Sequence, residues 1–310
     1  MSKITDYSEV NAATENNVFL LDGTSGTKII SGLNLSKSMA AMLPADNFFA
    51  LLDEVCDPVV HRSIFRGNNL GTSITADQKA RIADGTFKGL WLGDFWECDI
   101  GLSSPVKLRI VDFDYWYNVG NSENNPLNPN LKKHHIVVMP DFRLYLSNMN
   151  DTDTTDGGYY NSKMRGGANG ITSGNLAQAV SIFTNFFGNS IMPHWEYLVN
   201  AVTNGMPSGM SWYESTIEIP SEIMMFGSNI RSVSNDADNS PNLSTSNKSQ
   251  LALMQAHPRF INPQSVCWLR DVVSNKAFCA ITKAGNASAH NASSTAPGVR
   301  PYVTIGGNWS

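Results

Sequence analysis

The chain has 310 residues, a net charge of −5 and 42% hydrophobic residues, a composition that supports a packed core and excludes a disordered polymer. Only 16% of residues are charged, against about a quarter in ordinary soluble proteins, so Asn, Ser, Thr and Gly must form much of the surface. An acidic chain lacks the basic field that sequence-independent phosphate binding requires, and nucleic acid is not an expected partner.

The opening residues, MSKITDYSEVNAATENN, lack a basic start followed by an apolar stretch, and no run of about 20 apolar residues occurs anywhere. The expectation is a product without an export signal or membrane insertion. Residues 18–30, VFLLDGTSGTKII, predict two short strands around a turn built from Asp22, Gly23 and Gly26. Ser36 offers an N-cap to a short helix over 37–43, which Pro44 stops. A hairpin and one helix cannot bury a core of their own. Residues 1–45 are therefore expected to form an attachment or oligomerisation module, the alternative being an edge hairpin packed on the main domain, residues 46–310.

Further along, Phe48, Leu51, Leu52 and Val55 fall at helical spacing, and Thr75 with Gln78 forms a capping box for a helix ending at Gly85. Residues 90–97, 107–117 and 135–139 read as strands, with a polar loop over 118–130. Two amphipathic helices are predicted next, one on Leu176, Val180, Phe183 and Phe187, the other on Trp195, Leu198, Val199 and Val202. Residues 211–219 alternate as a strand, and 228–249 form a long Ser- and Asn-rich loop.

Few motifs carry chemistry. Asp112 and Asp114 stand two apart in DFDYWY, which on a strand puts both carboxylates on one face. Paired carboxylates can hydrolyse glycosides; the alternative is a half-buried pair binding loop backbone or a cation. His134 and His135 are adjacent, and on an extended chain they point to opposite faces, away from a shared metal. Asp151, Asp153 and Asp156 imitate the start of a calcium loop, but no Glu follows before position 190, so a solvated turn is expected. Cys267 and Cys279 are spaced to bridge neighbouring strands, although in a reducing cytoplasm two buried thiols are the stronger expectation. Nucleotide-binding and nucleophile-elbow signatures are missing. No cofactor, no metal and no catalysis are expected.

The most informative stretch is residues 274–295, SNKAFCAITKAGNASAHNASST, held between predicted strands at 267–273 and 299–305. Small polar residues on a rigid frame tolerate exchange without loss of the fold. The expected ligand-binding residues are Asn275, Lys276, Ala277, Thr282, Lys283, Asn286, Ser288, His290, Asn291 and Ser294.

In order along residues 61–305 stand HRSIFRG, GTSITADQKARIADGTF, GDFW, DFDYWYNVG, HHIVVMPD, YLVNAVTNGMPSGMSW, WLRDVVS and GVRP. Together these strings resemble phage-associated receptor-binding proteins of the C-type-lectin-like, formylglycine-generating-enzyme-like fold, including the variable proteins of diversity-generating retroelements. The resemblance implies an α+β class: a C-type-lectin-like domain with a short twisted antiparallel sheet, two helices and long loops. It further implies a virion protein at a tail fibre tip or head fibre, with a bacterial surface protein or glycan and other virion proteins as partners, assembled as a homotrimer. A purely structural capsid or tail decoration protein is the alternative, followed by a cell-wall glycan hydrolase using Asp112 or Asp114. Neither Glu-Pro-Asn nor Gln-Pro-Asp occurs, so the calcium-dependent sugar binding of many such lectins is not implied. The catalytic cysteine pair of formylglycine-generating enzymes has no counterpart in Cys267 and Cys279.

Overall fold

The computed structural model describes residues 18–21, 28–31, 45–120, 131–232 and 249–307. The expected helix over 37–43 and most of the loops 118–130 and 228–249 lie outside the described residues. The chain divides into two units, Met1–Asp57 and Pro58–Ser310, so the helix expected to open the main domain groups instead with the hairpin. In the first unit β1 (Val18–Leu21) pairs antiparallel with β2 (Lys28–Ser31), and α1 (Ala45–Val55) follows.

In the second unit α2 (Ala76–Ala83) precedes β3 (Phe95–Cys98), β4 (Val106–Phe113), β5 (Ile136–Pro140) and β6 (Tyr145–Leu146). Helix α3 (Ala177–Phe187) leads to β7 (His194–Thr203), β8 (Met206–Ser215) and β9 (Ile217–Glu218). Short helices α4 (Glu222–Phe226) and α5 (Ala252–Ala256) come before β10 (Cys267–Val272), β11 (Ala277–Ile281), β12 (Ala287–Asn291), β13 (Gly298–Val299) and β14 (Tyr302–Ile305). The class is α+β, with sheet dominant and few helices.

Local chemistry accounts for the elements that the sequence predicts. The Thr75 hydroxyl accepts from Gln78 N at 3.1 Å and the Gln78 side chain accepts from Thr75 N at 3.0 Å, closing the capping box of α2. Helix α3 buries Ala179, Phe183 and Phe187, and the Phe187 ring meets Trp96 of β3 edge-on at 5.8 Å. Strands β3-β4-β5-β14-β9 form one five-stranded sheet in that order. Every residue of β5 and all but Lys107 of β4 are buried, as suits central strands covered on both faces.

The second amphipathic helix is not there. Trp195, Leu198, Val199 and Val202 belong to β7, which pairs along its length with β8. Aromatic and β-branched residues favour the extended form, and Asn204-Gly205, with φ of 53° and 78°, makes the two-residue turn that closes a hairpin. Of the two predicted amphipathic helices only the first, α3, forms. The expected strand over 90–97 shortens to β3, because residues 91–94 turn around the buried Asp94 carboxylate, which accepts from Trp91 N at 2.8 Å and Asn68 N at 2.9 Å.

A second five-stranded sheet runs β12-β11-β10-β13-β6. Gly298 of β13 pairs with both Cys267 and Leu146, and a Cβ on it would fall 2.7 Å from Tyr145 O and 2.4 Å from Arg143 Cδ. Only glycine fits there. Arg300 is buried, its Nε donating to Pro140 O at 2.9 Å and Nη2 to Phe260 O at 3.0 Å. The Gly-Val-Arg-Pro segment thus ties the second sheet to β5 of the first.

Candidate functional site

The display segment is not a free loop. It folds into the β11–β12 hairpin, with β12 on the sheet edge and β11 against β10. Ala277, Phe278, Cys279, Ala280 and Ile281 are all buried. Pairing of Phe278 with His290 and of Ala280 with Ser288 places those four on one face. On that face the His290 ring meets Trp268 edge-on at 6.1 Å. Cys279 lies on the opposite face, where its thiol donates to Glu222 at 3.4 Å.

Both ends of the hairpin are built. At the closed end Thr282 N donates to Asn286 O at 2.8 Å and Gly285 N to Thr282 O at 3.0 Å. The Thr282 hydroxyl accepts from Ala284 N at 3.3 Å and Asn286 N at 3.1 Å. Gly285 supplies the left-handed φ of 85°. At the open end Asp153 accepts from Asn291 Nδ2 at 2.8 Å, Ser293 N at 3.1 Å and Ser293 Oγ at 2.6 Å. Thr155 Oγ1 donates to Ser274 O at 2.8 Å, and a Cβ on Gly205 would lie 2.8 Å from Asn275 N. The β7–β8 turn and the Asp-rich loop therefore hold this end in place.

The ten expected ligand residues separate accordingly. Asn275, Lys276, Lys283 and Asn286 present exposed side chains. Asn291 is exposed but tied to Asp153, Ser288 Oγ donates to Ala280 O at 3.2 Å, and Ser294 Oγ accepts from Ala296 N at 3.4 Å. His290 is half-buried on Trp268, and burial pushes its imidazole below the ordinary value. Thr282 is half-buried and spends its hydroxyl on the turn. Ala277 departs from expectation: it opens the inner strand and is only 7% exposed. The exposed residues form two clusters, Asn275 with Lys276 and Lys283 with Asn286, separated by the length of β11, roughly 14 Å for four strand steps.

The closed end walls an open pocket of about 650 Å³. The hairpin contributes residues 284–287, α4 and the loop after it contribute Phe226, Ile230 and Arg231, and the 3-10 segment Pro258–Ile261 with Asn262 supplies the rest. Glu222 positions the loop, since its buried carboxylate accepts from Arg231 N at 2.8 Å, Ser232 N at 2.9 Å and Ser232 Oγ at 2.5 Å. Burial raises this acid, but the Ser232 and Arg231 donors outweigh it and hold the group below the usual carboxylate range. None of Arg231, Arg259, Asn262 and Glu222 stood out in the sequence. A second open groove of about 560 Å³, lined by Glu97, Asp99, Leu102 and Phe186 among others, shares no residue with the hairpin.

The other constellations serve the scaffold. Asp112 and Asp114 do not share a strand face, because a bulge interrupts the β4–β5 pairing at Ile110/Asp112 and Asp114 adopts a φ of 52°. Asp112 is fully buried and accepts from Arg62 Nε at 2.5 Å, Phe113 N at 2.8 Å and Ala252 N at 2.8 Å. Asp114 takes His135 N at 2.9 Å. His134 and His135 do not diverge: their Nδ1 atoms lie 2.7 Å and 3.7 Å from the Asp114 oxygens. Both precede the first residue of β5, so strand alternation does not govern them. Asp151 pairs with Lys163 at 2.5 Å while Asp153 holds the hairpin, so the Asp-rich turn is divided between partners. Among the described residues no group of three His, Cys, Asp or Glu side chains is arranged to hold a metal ion. Cys56, Cys98, Cys267 and Cys279 are free thiols.

Beneath β10 lies a buried charged network that sequence reading missed. Glu196 receives Arg270, the Tyr302 hydroxyl and, at 2.8 Å, His194 Nε2. Burial raises the Glu196 acid, yet Arg270 and the hydrogen bonds pull it below its ordinary value. Glu218 accepts from Arg165 Nε at 3.1 Å and from the Tyr159 and Ser215 hydroxyls, and burial leaves it raised. The charges of Trp-Leu-Arg-Asp thus anchor the frame: Arg270 on Glu196, and Asp271 by accepting from Glu222 N at 2.6 Å.

Comparison of the chain with protein-family models, with curated proteins and with solved structures returns no match.

Proposed function

We propose that this chain is a virion structural protein whose second unit is a C-type-lectin-like domain that binds a bacterial surface ligand through the β11–β12 hairpin. The observation that carries this reading is the contrast between the hairpin and its support. Trp268 and Val299 beneath it and its own Phe278 are 0% exposed, whereas its two ends carry exposed polar side chains with no part in the core. Such an arrangement lets recognition residues vary while the fold persists. The first unit is the attachment and trimerisation piece: α1 leaves Leu51 and Val55 exposed at a spacing of four, 43% and 67%, one apolar stripe awaiting a partner. A decoration protein would use the same stripe but would have no need of an exposed hairpin. Catalysis by Asp112 is disfavoured, because the carboxylate is sealed under Arg62 and has no access to a glycan.

Adsorption of the full-length oligomer to a panel of bacterial cells tests the reading. Binding to some strains is expected, with loss or altered strain preference when Asn275, Lys276, Lys283 and Asn286 are replaced together by Ala. Adsorption to no strain, or adsorption indifferent to that replacement, would refute it.

A further inference from the structure

The pocket at the closed end of the hairpin has a charge character unlike the rest of the chain. The protein is acidic overall, at −5, yet this pocket counts two arginines, Arg231 and Arg259, among its lining residues and no Asp or Glu. Elsewhere Arg62, Arg66, Arg81, Arg109, Arg165 and Arg270 each face an Asp or Glu. Among the described residues Arg231 and Arg259 do not, nor do Arg143 and Arg300, of which Arg300 is spent on the backbone carbonyls of Pro140 and Phe260.

The Arg259 side chain and the Arg231 backbone are placed in advance. The Arg259 guanidinium sits over the Phe65 and Phe260 rings at 5.6 Å and 5.0 Å, contacts that orient its plane without consuming its N–H donors. Arg231 lies in the loop that Glu222 grips through the Arg231 and Ser232 amides. Around them Asn262 and Asn286 offer amide donors and acceptors, while Ile230, 56% exposed, and Ile261 supply apolar surface. The volume of about 650 Å³ falls inside the roughly 300–1,000 Å³ range of small-ligand sites.

We infer that this pocket is an anion site for a ligand that joins a carboxylate or phosphate to a hydroxylated body, namely an acidic sugar or a polyol phosphate. The guanidinium fork matches the planar oxygens of either anion, the amides match hydroxyls, and the isoleucines match the C–H face of a ring or chain. The inference rests on the proposed function only in assigning such a group to a cell-surface polymer; the anion site itself follows from the pocket.

Calorimetric titration of the full chain distinguishes the two sources, with tetragalacturonate as the carboxylate probe, a glycerol-phosphate oligomer as the phosphate probe and a neutral tetrasaccharide as control. At least one acidic probe is expected to bind, more weakly as salt rises, with affinity reduced about tenfold or more in Arg259→Gln and in Arg231→Gln. Arg81→Gln, on α2 and outside the pocket lining, should leave that affinity unchanged. Binding of only one probe names the source. Acidic probes that bind no better than the neutral control, or binding indifferent to both arginine variants, would overturn the inference. Cell adsorption that survives the Arg231→Gln/Arg259→Gln double variant, with no arginine-dependent binding of either acidic probe, would overturn it and leave the hairpin reading standing. Arginine-dependent probe binding without adsorption to any cell would uphold the anion site and refute the hairpin reading.

Discussion

A tyrosine scan of the hairpin separates the exposed positions from those that hold it together. Asn275, Lys276, Lys283 and Asn286 project into solvent, and tyrosine at each should change stability by no more than about 0.5 kcal/mol. Thr282 differs because its hydroxyl accepts two amides of its own turn; losing that acceptor should cost about 1–2 kcal/mol. Ala277 is 7% exposed at the start of the inner strand, and a ring forced there should cost about 1–3 kcal/mol or more through overpacking. For a unit of about 250 residues each kcal/mol moves the midpoint by roughly 2–4 °C. Thermal melts should therefore show no resolved change at the four exposed positions, a clear drop at Thr282→Tyr and a drop at least as large at Ala277→Tyr. A loss above about 5 °C at Lys283 or Asn286, or none at Ala277, would show that the hairpin packs differently and would remove the structural basis of the display reading.

Four further outcomes are expected. Burial pulls His135 down to about 4; its ring accepts from Trp116 N at 2.9 Å, a bond that protonation destroys. Its folded value lies below its unfolded one, so the native state loses about 3 kcal/mol as pH falls from roughly 6.5 to 4. Urea unfolding across that window should show a stability difference between the wild type and His135→Gln that shrinks or reverses toward pH 4, and a constant difference would contradict this. Asp271, pushed up to about 6 by burial, has the opposite sign: its contribution is full below about 4 and lost as pH rises through about 6. Arg270→Met leaves Glu196 buried without its partner and should cost about 3–5 kcal/mol, with much of the loss recovered in Arg270→Met/Glu196→Gln; equal melts for the single and double variants would rule out the pairing as the cause. Removal of residues 1–57 should convert a trimer to a folded monomer in light scattering, and an unchanged oligomer would place the contacts in the second unit.

The parts of this fold that were legible in the sequence are those where one local signal decides the outcome. Thr75 and Gln78 specify the start of α2 within four residues, and Trp268-Leu269 with Gly298-Val299 mark the frame by their apolar content. Residues 195–202 failed because Trp195, Leu198, Val199 and Val202 satisfy helical spacing while WEYLVNAV also suits a strand; pairing with β8 settles the choice. The Asp112–Asp114 alternation failed at a bulge and a left-handed residue, neither of which has a sequence signature here. The pocket was out of reach for another reason. Arg231, Arg259 and Asn286 meet only because α4, the 3-10 segment and the hairpin turn converge, and nothing in their local sequence marks them.

The scarcity of charge at the surface is explained by where the charges act. Asp94, Asp112, Glu196, Glu218 and Glu222 are 0% exposed, and three of them, Asp94, Asp112 and Glu222, hold irregular segments or helix starts from within. Asp94 closes the turn at 91–94, Asp112 binds the first amide of α5, and Glu222 grips the loop at 231–232. A buried carboxylate is costly unless fully paired, so these groups specify loop geometry more sharply than surface contacts do. Loops fixed from inside do not depend on their outward side chains for shape. The Arg231 loop can accordingly carry its arginine in a defined position, and can exchange it, while Glu222 goes on setting the backbone.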